Sequence, residues 1–372
     1  MSRIIFHIGD KKTGPSAIQQ ALVRGAWRCD AVRLAYPVGA DRPHHHWLAT
    51  GFVRRDRDRI ETEFARLAQM IAPINADVVV VSSELFQDAR PARLAKAIEQ
   101  HLPDQAGRAE VIAYARPHAA RLVSSYAQVV KLGHFTGDLE RFVETSLADG
   151  RLQMAERFER WRAVFGARFT LRPMQREHLE GGDVVRDFLH HALSGAAFEL
   201  DELPGANESL SVGELALLRR FHTLLARQHK ALRAEAGGKA LDKARNRIGD
   251  RLAGHLAARA ARGGERLRLH RALAERVAAG CAEDAARCDA AFFAGTPMQD
   301  ALRDAVGRAP EAAQSLSVKD HFPPELRGQL PVWAGLVGDM MLYDPEGWNG
   351  YFLDLLNSSF RGCEGQHGDA AG

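Results

Sequence analysis

The sequence Arg3-Ile4-Ile5-Phe6-His7-Ile8-Gly9-Asp10-Lys11-Lys12-Thr13-Gly14-Pro15-Ser16 joins a short apolar run to a polar loop that contains two glycines. The apolar run is typical of a buried strand, and a helical pattern begins near Ala17. A strand, a glycine-containing loop and a helix together favour anion binding, because free backbone N–H groups and the positive end of the helix dipole point at the anion. The segment therefore predicts an α/β fold with an anion-binding loop after its first strand.

Four further strand-like runs follow within the first 195 residues, at 32–36, 77–82, 109–115 and 167–171. Helical patterns fill the gaps between them, after the first loop at 17–27 and then at 60–71, 92–101, 117–131 and 183–193. Continuous apolar strands that alternate with helices predict a parallel sheet covered on both faces. We therefore expect a three-layer α/β sandwich with a central parallel sheet.

The character of the chain changes near residue 211. Ser211 is followed three residues later by Glu214, which is the spacing of a capping box at the start of a long helix. The sequence predicts an α/β core over 1–210, a mainly helical extension packed on that core over 211–308, and an irregular C-terminal segment over 309–372 with a mobile tail after residue 360.

Composition excludes several classes of protein. The 372 residues carry a formal net charge of +3, and the arginines of the helical extension are interleaved with acidic residues, so no nucleic-acid partner is predicted. Four scattered cysteines show no zinc or disulfide spacing. The sequence contains no run of 18 apolar residues, so no membrane span is predicted. The first eight residues lack the pattern of a signal peptide, and we therefore expect a cytoplasmic protein.

The first loop is close to a Walker A motif without matching it. Gly9 and Gly14 have the Walker spacing and Ser16 occupies the hydroxyl position, but Pro15 stands where the phosphate-binding lysine belongs. No Mg²⁺-binding aspartate at a strand end accompanies it. A P-loop kinase or nucleoside triphosphatase is therefore the least favoured enzyme class.

The segment from His7 to Gln19 resembles the opening H-I-G-x-x-K-T-G-T-T-S-I-Q of bacterial carbohydrate-type sulfotransferases, which have a P-loop-containing α/β fold. The resemblance implies that PAPS (3′-phosphoadenosine 5′-phosphosulfate) is the sulfuryl donor, that PAP is the product, and that no metal ion takes part. It further implies that Lys12 holds the bridging oxygen and stabilises the leaving phosphate. The donor-binding loop would consist of Lys11, Lys12, Thr13, Gly14, Pro15 and Ser16.

One residue of the loop departs from the family pattern. Pro15 replaces the first of two family threonines, which removes a hydroxyl and a backbone donor, although proline fits the first turn of a helix. The departure keeps open the alternative that the chain is a non-catalytic binding module on the same fold.

A second motif follows the strand at 109–115. Arg116 stands at the end of this strand, and Ser124 lies two helical turns later on the same face as the start of the helix. Such a pair can hold a phosphate with charge and a directed hydrogen bond. Arginine followed eight residues later by serine is similar to the 3′-phosphate motif of the sulfotransferases, while the alternative is a structural arginine on an ordinary exposed helix. Looser likenesses, such as Val79-Val80-Val81-Ser82-Ser83-Glu84, extend the resemblance over roughly residues 3–221.

The acceptor side depends on a general base. His44-His45-His46 follows the second predicted strand, where a loop lies at the carboxyl edge of the sheet. Because some glycan sulfotransferases place a catalytic histidine similarly, we expect His46 to be the base, with His45 next; a surface loop and a weak metal site are alternatives. Glu84 is the alternative base. The expected activity is in-line transfer of a sulfuryl group from PAPS to a hydroxyl of a carbohydrate or other small acceptor.

Overall fold

Within the described residues of the computed structural model, which are 2–10, 13–38, 43–201, 210–229, 238–259 and 264–352, a five-stranded parallel sheet forms the centre and two short strands pair separately. The strands are β1 (Arg3–His7), β2 (Trp27–Arg28), β3 (Leu34–Ala35), β4 (Val78–Ser82), β5 (Glu110–Ala115), β6 (Phe169–Pro173) and β7 (Glu199–Leu200). The central order is β3-β4-β1-β5-β6, and β2 pairs antiparallel with β7. The expected parallel sheet is confirmed.

Five of the helices in the first 200 residues occupy the predicted patterns. They are α1 (Pro15–Arg24), α2 (His46–Arg54), α3 (Arg57–Ile71), α4 (Pro91–His101), α5 (Pro103–Ala106), α6 (His118–Lys131), α7 (Leu139–Ala148), α8 (Ala155–Phe165), α9 (Val184–Ala192), α10 (Val212–His229), α11 (Gly238–Arg259), α12 (Arg271–Phe292), α13 (Pro297–Gly307) and α14 (Pro324–Tyr343). The expected extension of the first helix to residue 27 is wrong, because Gly25 adopts a left-handed conformation (φ 57°) and caps the helix.

Strand β1 lies at the middle of the sheet and sets the register of its neighbours. His7 is level with Ser82 at the end of β4 on one side and with Ile112 of β5 on the other. Since all these strands are parallel, the loops that leave their carboxyl ends emerge at one edge of the sheet. The loop after β1 therefore lies between the segment that begins at Ser83 and the segment that begins at Arg116.

Both faces of the sheet are covered. Ile4, Phe6 and Ile8 belong to a large core that also contains buried side chains of α3, α4, α6 and α8. Ile5 faces the opposite side, in a second core formed with α1 and α9. Alternation of side chains along a strand sends successive residues to opposite faces, so one short strand supplies both cores. The three-layer α/β arrangement is thus confirmed.

The helices after residue 210 pack on the large-core side of the sheet. Helix α10 opens with the predicted capping box, in which Ser211 Oγ accepts from Glu214 N (3.3 Å) and Glu214 Oε2 accepts from Ser211 N (2.6 Å). Helix α12 packs against α6, α7, α8 and α13, while α11 packs against α6, α10 and α14. No helix within the described ranges is both long and apolar enough to cross a membrane.

The irregular structure expected over 309–372 is wrong for part of that range. Residues 324–343 form α14, which contains Pro331 in its interior. Leu330, Ala334, Gly338 and Met341 bury one side of it, and α10 is its main contact. The free energy gained by burying an apolar face outweighs the loss of one backbone hydrogen bond at the proline. Local sequence rules cannot predict this helix, because the burial depends on tertiary packing. The tail expected to be mobile lies outside the described residues.

Burial lowers the pKa of three histidines of this fold to about 4: His7, His45 and His222. The imidazole of His7 contacts the rings of Tyr114 and Phe188. His222 Nε2–H donates to the carbonyl of Lys131 (3.0 Å). These side chains fold in the neutral form, because an apolar surrounding disfavours the charged imidazolium.

We predict that acid weakens the fold between about pH 6.5 and pH 4. The unfolded chain protonates each histidine near pH 6.5, before the native state does, so the free energy of unfolding falls as the pH falls, by about 1.4 kcal/mol per pH unit for each group. Urea denaturation between pH 7.5 and pH 5 should show this slope. His222→Gln should reduce the slope by the contribution of one histidine. His321→Gln, at an exposed position, should leave the slope unchanged. A flat stability profile would contradict the assignment.

Candidate active site

Two glycines let the loop after β1 pass close to neighbouring elements. Gly9 has a φ of +65°, and a Cβ on it would lie 2.8 Å from Glu84 Cβ. Gly14 has a φ of +79°, and a Cβ there would lie 2.8 Å from Val184 Cγ1. Both positions therefore require glycine for conformation and for space. The close approach at Gly9 brings the loop against the residues that follow β4.

The structure describes four of the six expected donor-binding residues of this loop. Lys11 and Lys12 lie outside the described residues. Thr13 is buried, and its hydroxyl donates to the carbonyl of Asp10 (2.6 Å) and accepts from Asp10 N (3.2 Å), so it closes the loop on itself. Pro15 is the first residue of α1 and Ser16 is exposed in the first turn. The positive amino end of the ten-residue helix α1 thus faces the carboxyl edge of the sheet.

A buried carboxylate anchors the loop. Asp10 has no exposed surface, and its Oδ2 accepts from Arg157 Nη2 of α8 at 2.8 Å, with Arg121 Nε of α6 at 3.5 Å. Arg157 Nη1 also donates to Gln87 Oε1 (3.1 Å). Sequence analysis missed this cluster, because its members lie up to 147 positions apart. The single acidic residue in an otherwise basic loop was the available signal.

The structure brings Arg116 and Ser124 together. Arg116 follows β5, Ser124 lies in α6, and Arg116 Nη1 donates to Ser124 Oγ at 3.2 Å. Burial lowers the pKa of the Arg116 guanidinium, which nevertheless stays charged at neutral pH. A partly desolvated cation attracts an anion more strongly than an exposed one, since the local dielectric is lower. The pair follows β5, the neighbour of β1, at the edge of the sheet from which the first loop also leaves.

Asp284 of α12 fixes the two helices that carry these groups. Its Oδ2 accepts from His118 Nε2 at the start of α6 (2.8 Å). The same carboxylate caps the amino end of α8, because it accepts from the backbone N–H groups of Met154 and Ala155 (3.0–3.1 Å). Burial raises the pKa of Asp284, but the hydrogen bonds together lower it by more than burial raises it, so the net shift is downward. One acidic residue of the helical extension thereby aligns α6 and α8.

On the other side of β1, His46, Ser83 and Glu84 form a connected group. His46 Nδ1 lies 2.9 Å from Ser83 Oγ, and His46 Nε2 lies 3.4 Å from Glu84 Oε1. Gln19 Nε2 of α1 donates to Glu84 Oε2 (3.4 Å) and to Ser82 Oγ (3.1 Å). Burial raises the pKa of Glu84, but His46, a backbone N–H and Gln19 together lower it to about 2. Glu84 is thus a carboxylate throughout the physiological range.

The neighbouring histidines of the triplet have different surroundings. His45 is fully buried: its Nε2–H donates to the carbonyl of Pro37 (2.7 Å), and its Nδ1 accepts from Ser82 N (3.2 Å). Both ring nitrogens of His45 are occupied, so its role is structural, and the surface-loop alternative is wrong for this residue. The rings of His44 and His46 stack at 3.5 Å. Among the described residues, no three His, Cys, Asp or Glu side chains converge as a metal site would require.

Comparison with known proteins adds little to this geometry. No protein-family model and no curated protein matches the sequence. The crystal structure of a sulfotransferase from Alicyclobacillus acidocaldarius aligns with 80% of this chain and 98% of its own chain, at 13% sequence identity and a TM-score of 0.38. A likeness at that TM-score carries no argument, so the functional case depends on the residues themselves.

We predict that Asp284→Ala lowers the free energy of unfolding by about 2–4 kcal/mol, because it removes the cap of α8 and leaves the buried His118 without its carboxylate partner. Urea denaturation measures the change through the midpoint at constant m-value. Asp304→Ala is the matched control, since Asp304 pairs with Arg308 on an exposed helix surface and should cost less than about 0.5 kcal/mol. Equal effects of the two substitutions would contradict a central role for Asp284.

Proposed function

We propose that this chain is a PAPS-dependent sulfotransferase that transfers a sulfuryl group to a hydroxyl of a carbohydrate or other small acceptor. One observation carries the proposal. The glycine loop after β1 lies between two polar groups at the same edge of the sheet: the Arg116–Ser124 pair after β5 and the His46–Glu84 pair beside β4. An anion loop flanked by a second anion contact on one side and a base on the other suits a doubly phosphorylated nucleotide donor.

The residues at this edge fit such a donor. The backbone at Gly9 and Gly14 leaves no room for side chains and runs into the positive end of α1, which favours a phosphate there. By the sequence resemblance, Lys11 and Lys12 would contact the phosphosulfate, and Gly14 and Ser16 would add hydrogen-bond donors. Arg116 and Ser124 would hold the 3′-phosphate. The donor supplies an activated sulfuryl group and leaves as PAP.

His46 is the better general base of the two candidates. A carboxylate with a pKa of about 2, like Glu84, accepts a proton poorly at neutral pH, whereas histidine is the side chain that most often serves as a general base. In the tautomer whose Nδ1–H donates to Ser83 Oγ, His46 Nε2 carries no proton and can accept that of the acceptor hydroxyl. The imidazolium that results lies 3.4 Å from Glu84, which stabilises its charge.

In the reaction, the acceptor oxygen forms a bond to sulfur as the bond between sulfur and the bridging phosphate oxygen breaks. The proton of the hydroxyl moves to His46 Nε2, and Lys12 stabilises the charge that develops on the leaving oxygen. Pro15 lacks the hydroxyl and N–H of the residue it replaces, so the remaining groups of the loop hold the 5′ phosphosulfate. Binding of PAP without turnover would favour the non-catalytic alternative.

We predict that PAP binds in the micromolar range and at least about 100-fold more tightly than ATP or GTP in isothermal titration. Lys12→Ala and Arg116→Ala should each weaken PAP binding about 10- to 100-fold, because each removes a charge-assisted contact. Lys96→Ala, on the exposed side of α4, is the matched control and should bind PAP like the wild type. The absence of any nucleotide binding, or unchanged affinity in both site variants, would overturn the proposal, and tighter binding of ATP would favour a kinase.

We predict that His46→Ala lowers sulfuryl transfer about 100- to 10,000-fold without changing PAP affinity, because it removes the base and no donor contact. Glu84→Gln should lower transfer less, since it removes only the charge that stabilises the imidazolium. Release of PAP from PAPS in the presence of a panel of hydroxylated sugars measures both effects. His255→Ala, at an exposed position of α11, is the control. Full activity in His46→Ala would exclude His46 as the base.

A further inference from the structure

Helix α14 exposes an apolar stripe that faces away from the protein. Val332 is 68% exposed, Trp333 45%, Leu336 62%, Met340 40% and Tyr343 93%. At 100° per residue these five side chains fall within an arc of about 100°. The buried residues Leu330, Ala334, Gly338 and Met341 lie on the opposite side of the helix.

A helix with two apolar sides needs two partners. A surface helix ordinarily buries one apolar stripe and presents polar residues to water, whereas a helix that is apolar all round is buried. Over residues 328–338 the helix carries no charged side chain. Helix α10 covers the inner side, so the outer stripe has the composition of an interface core.

The size of the stripe suits an interface between two copies. From their exposures and the area of such side chains, the five residues present roughly 600 Å² per copy. That equals the largest apolar patches of ordinary monomers. Paired with itself, the stripe would bury roughly 1,200 Å², the lower limit of specific and stable interfaces.

Charge argues against a lipid surface. Membrane-surface helices carry Lys and Arg on their polar sides. Residues 324–346 contain one basic residue, Arg327, against four acidic residues, Glu325, Asp339, Asp344 and Glu346. An anionic bilayer would repel this segment, while an uncharged stripe can meet its own copy without bringing like charges together.

Two pairs of positions along the stripe are symmetric about Leu336. In an antiparallel pair with a two-fold axis at Leu336, a residue n positions before it faces the residue n positions after it on the other copy. Val332 then faces Met340, the exposed Gln329 faces Tyr343, and Trp333 faces Asp339, which lies beside the stripe. The alternating spacing of three and four residues is that of an interhelical seam.

We propose that two copies of this chain form a symmetric dimer in which the α14 helices pair antiparallel, with Leu336 at the two-fold axis. The interface lies on α14, which contacts α10 and α11 and does not carry Arg116 or His46. The evidence for the dimer therefore does not depend on the proposed sulfotransferase activity.

The test is the concentration-dependent mass of the full chain, measured by sedimentation and light scattering from about 0.1 to 100 µM. The wild type should reach the dimer mass within this range. Leu336→Asp should raise the dissociation constant at least about 100-fold, because each dimer would bury two facing carboxylates. Val164→Asp, at an exposed valine of α8, is the matched control and should dimerise like the wild type. Circular dichroism checks folding, and Tyr343→Glu is a second variant at the most exposed position.

Cysteine cross-linking tests the register. A residue on the two-fold axis meets its own copy, so Leu336→Cys should yield a covalent dimer under mild oxidation, and Val164→Cys should not exceed the wild-type background. A wild type that is monomeric at every concentration would overturn the proposal. Dimerisation that survives Leu336→Asp would do the same. Binding of the wild type to phosphatidylserine vesicles through the stripe would also overturn it, in favour of a lipid surface.

Discussion

The buried carboxylate of Asp10 is the constraint on which the polar edge of the sheet depends. A charge removed from water is stable only when it is paired and hydrogen-bonded, and Asp10 meets this need with Arg157 at 2.8 Å and Arg121 at 3.5 Å. These two side chains come from α8 and α6. The requirement to pair one carboxylate therefore fixes the loop after β1 relative to two helices on one face of the sheet.

The helical extension continues this chain of contacts. Asp284 of α12 holds the first turn of α6 through His118 and caps α8 through its backbone N–H groups. Helix α6 carries Ser124, and Arg116 stands just before it, whereas α8 carries Arg157. The extension is thus part of the framework that positions Ser124 and Arg157. The distance between the glycine loop and the Arg116–Ser124 pair depends on α12 as well as on the sheet.

The two sides of β1 differ in their electrostatics, as the proposed function requires. On the α6 side, Arg121 and Arg157 contact Asp10 of the loop, and Arg116 follows β5. The β4 side holds an ionised Glu84 beside His46, with Gln19 of α1 connecting it to the loop helix. A cationic side suits a phosphorylated donor, and a histidine against a carboxylate suits the removal of a proton.

The sequence by itself determined how strands and helices alternate along the chain and that they form three layers. It also determined the two glycines of the loop and the pairing of Arg116 with Ser124. These features depend on periodicity, on turn chemistry or on a spacing of eight residues within one strand and helix, all of which are local. It also placed His46 and Glu84 at the same edge, because parallel strands end together. Lys12, the residue on which the resemblance depends most, lies outside the described residues.

Only the tertiary structure decided which polar groups meet across long separations. Asp10 pairs with Arg157, Asp284 pairs with His118, and both ring nitrogens of His45 bond to the backbone. No local sequence pattern predicts these contacts, because each depends on how segments far apart in sequence pack. Packing also decided that residues 324–343 form a helix despite Pro331, since burial against α10 outweighs local propensity. Local rules specify what each segment prefers, whereas desolvation of charge and apolar surface selects the partners.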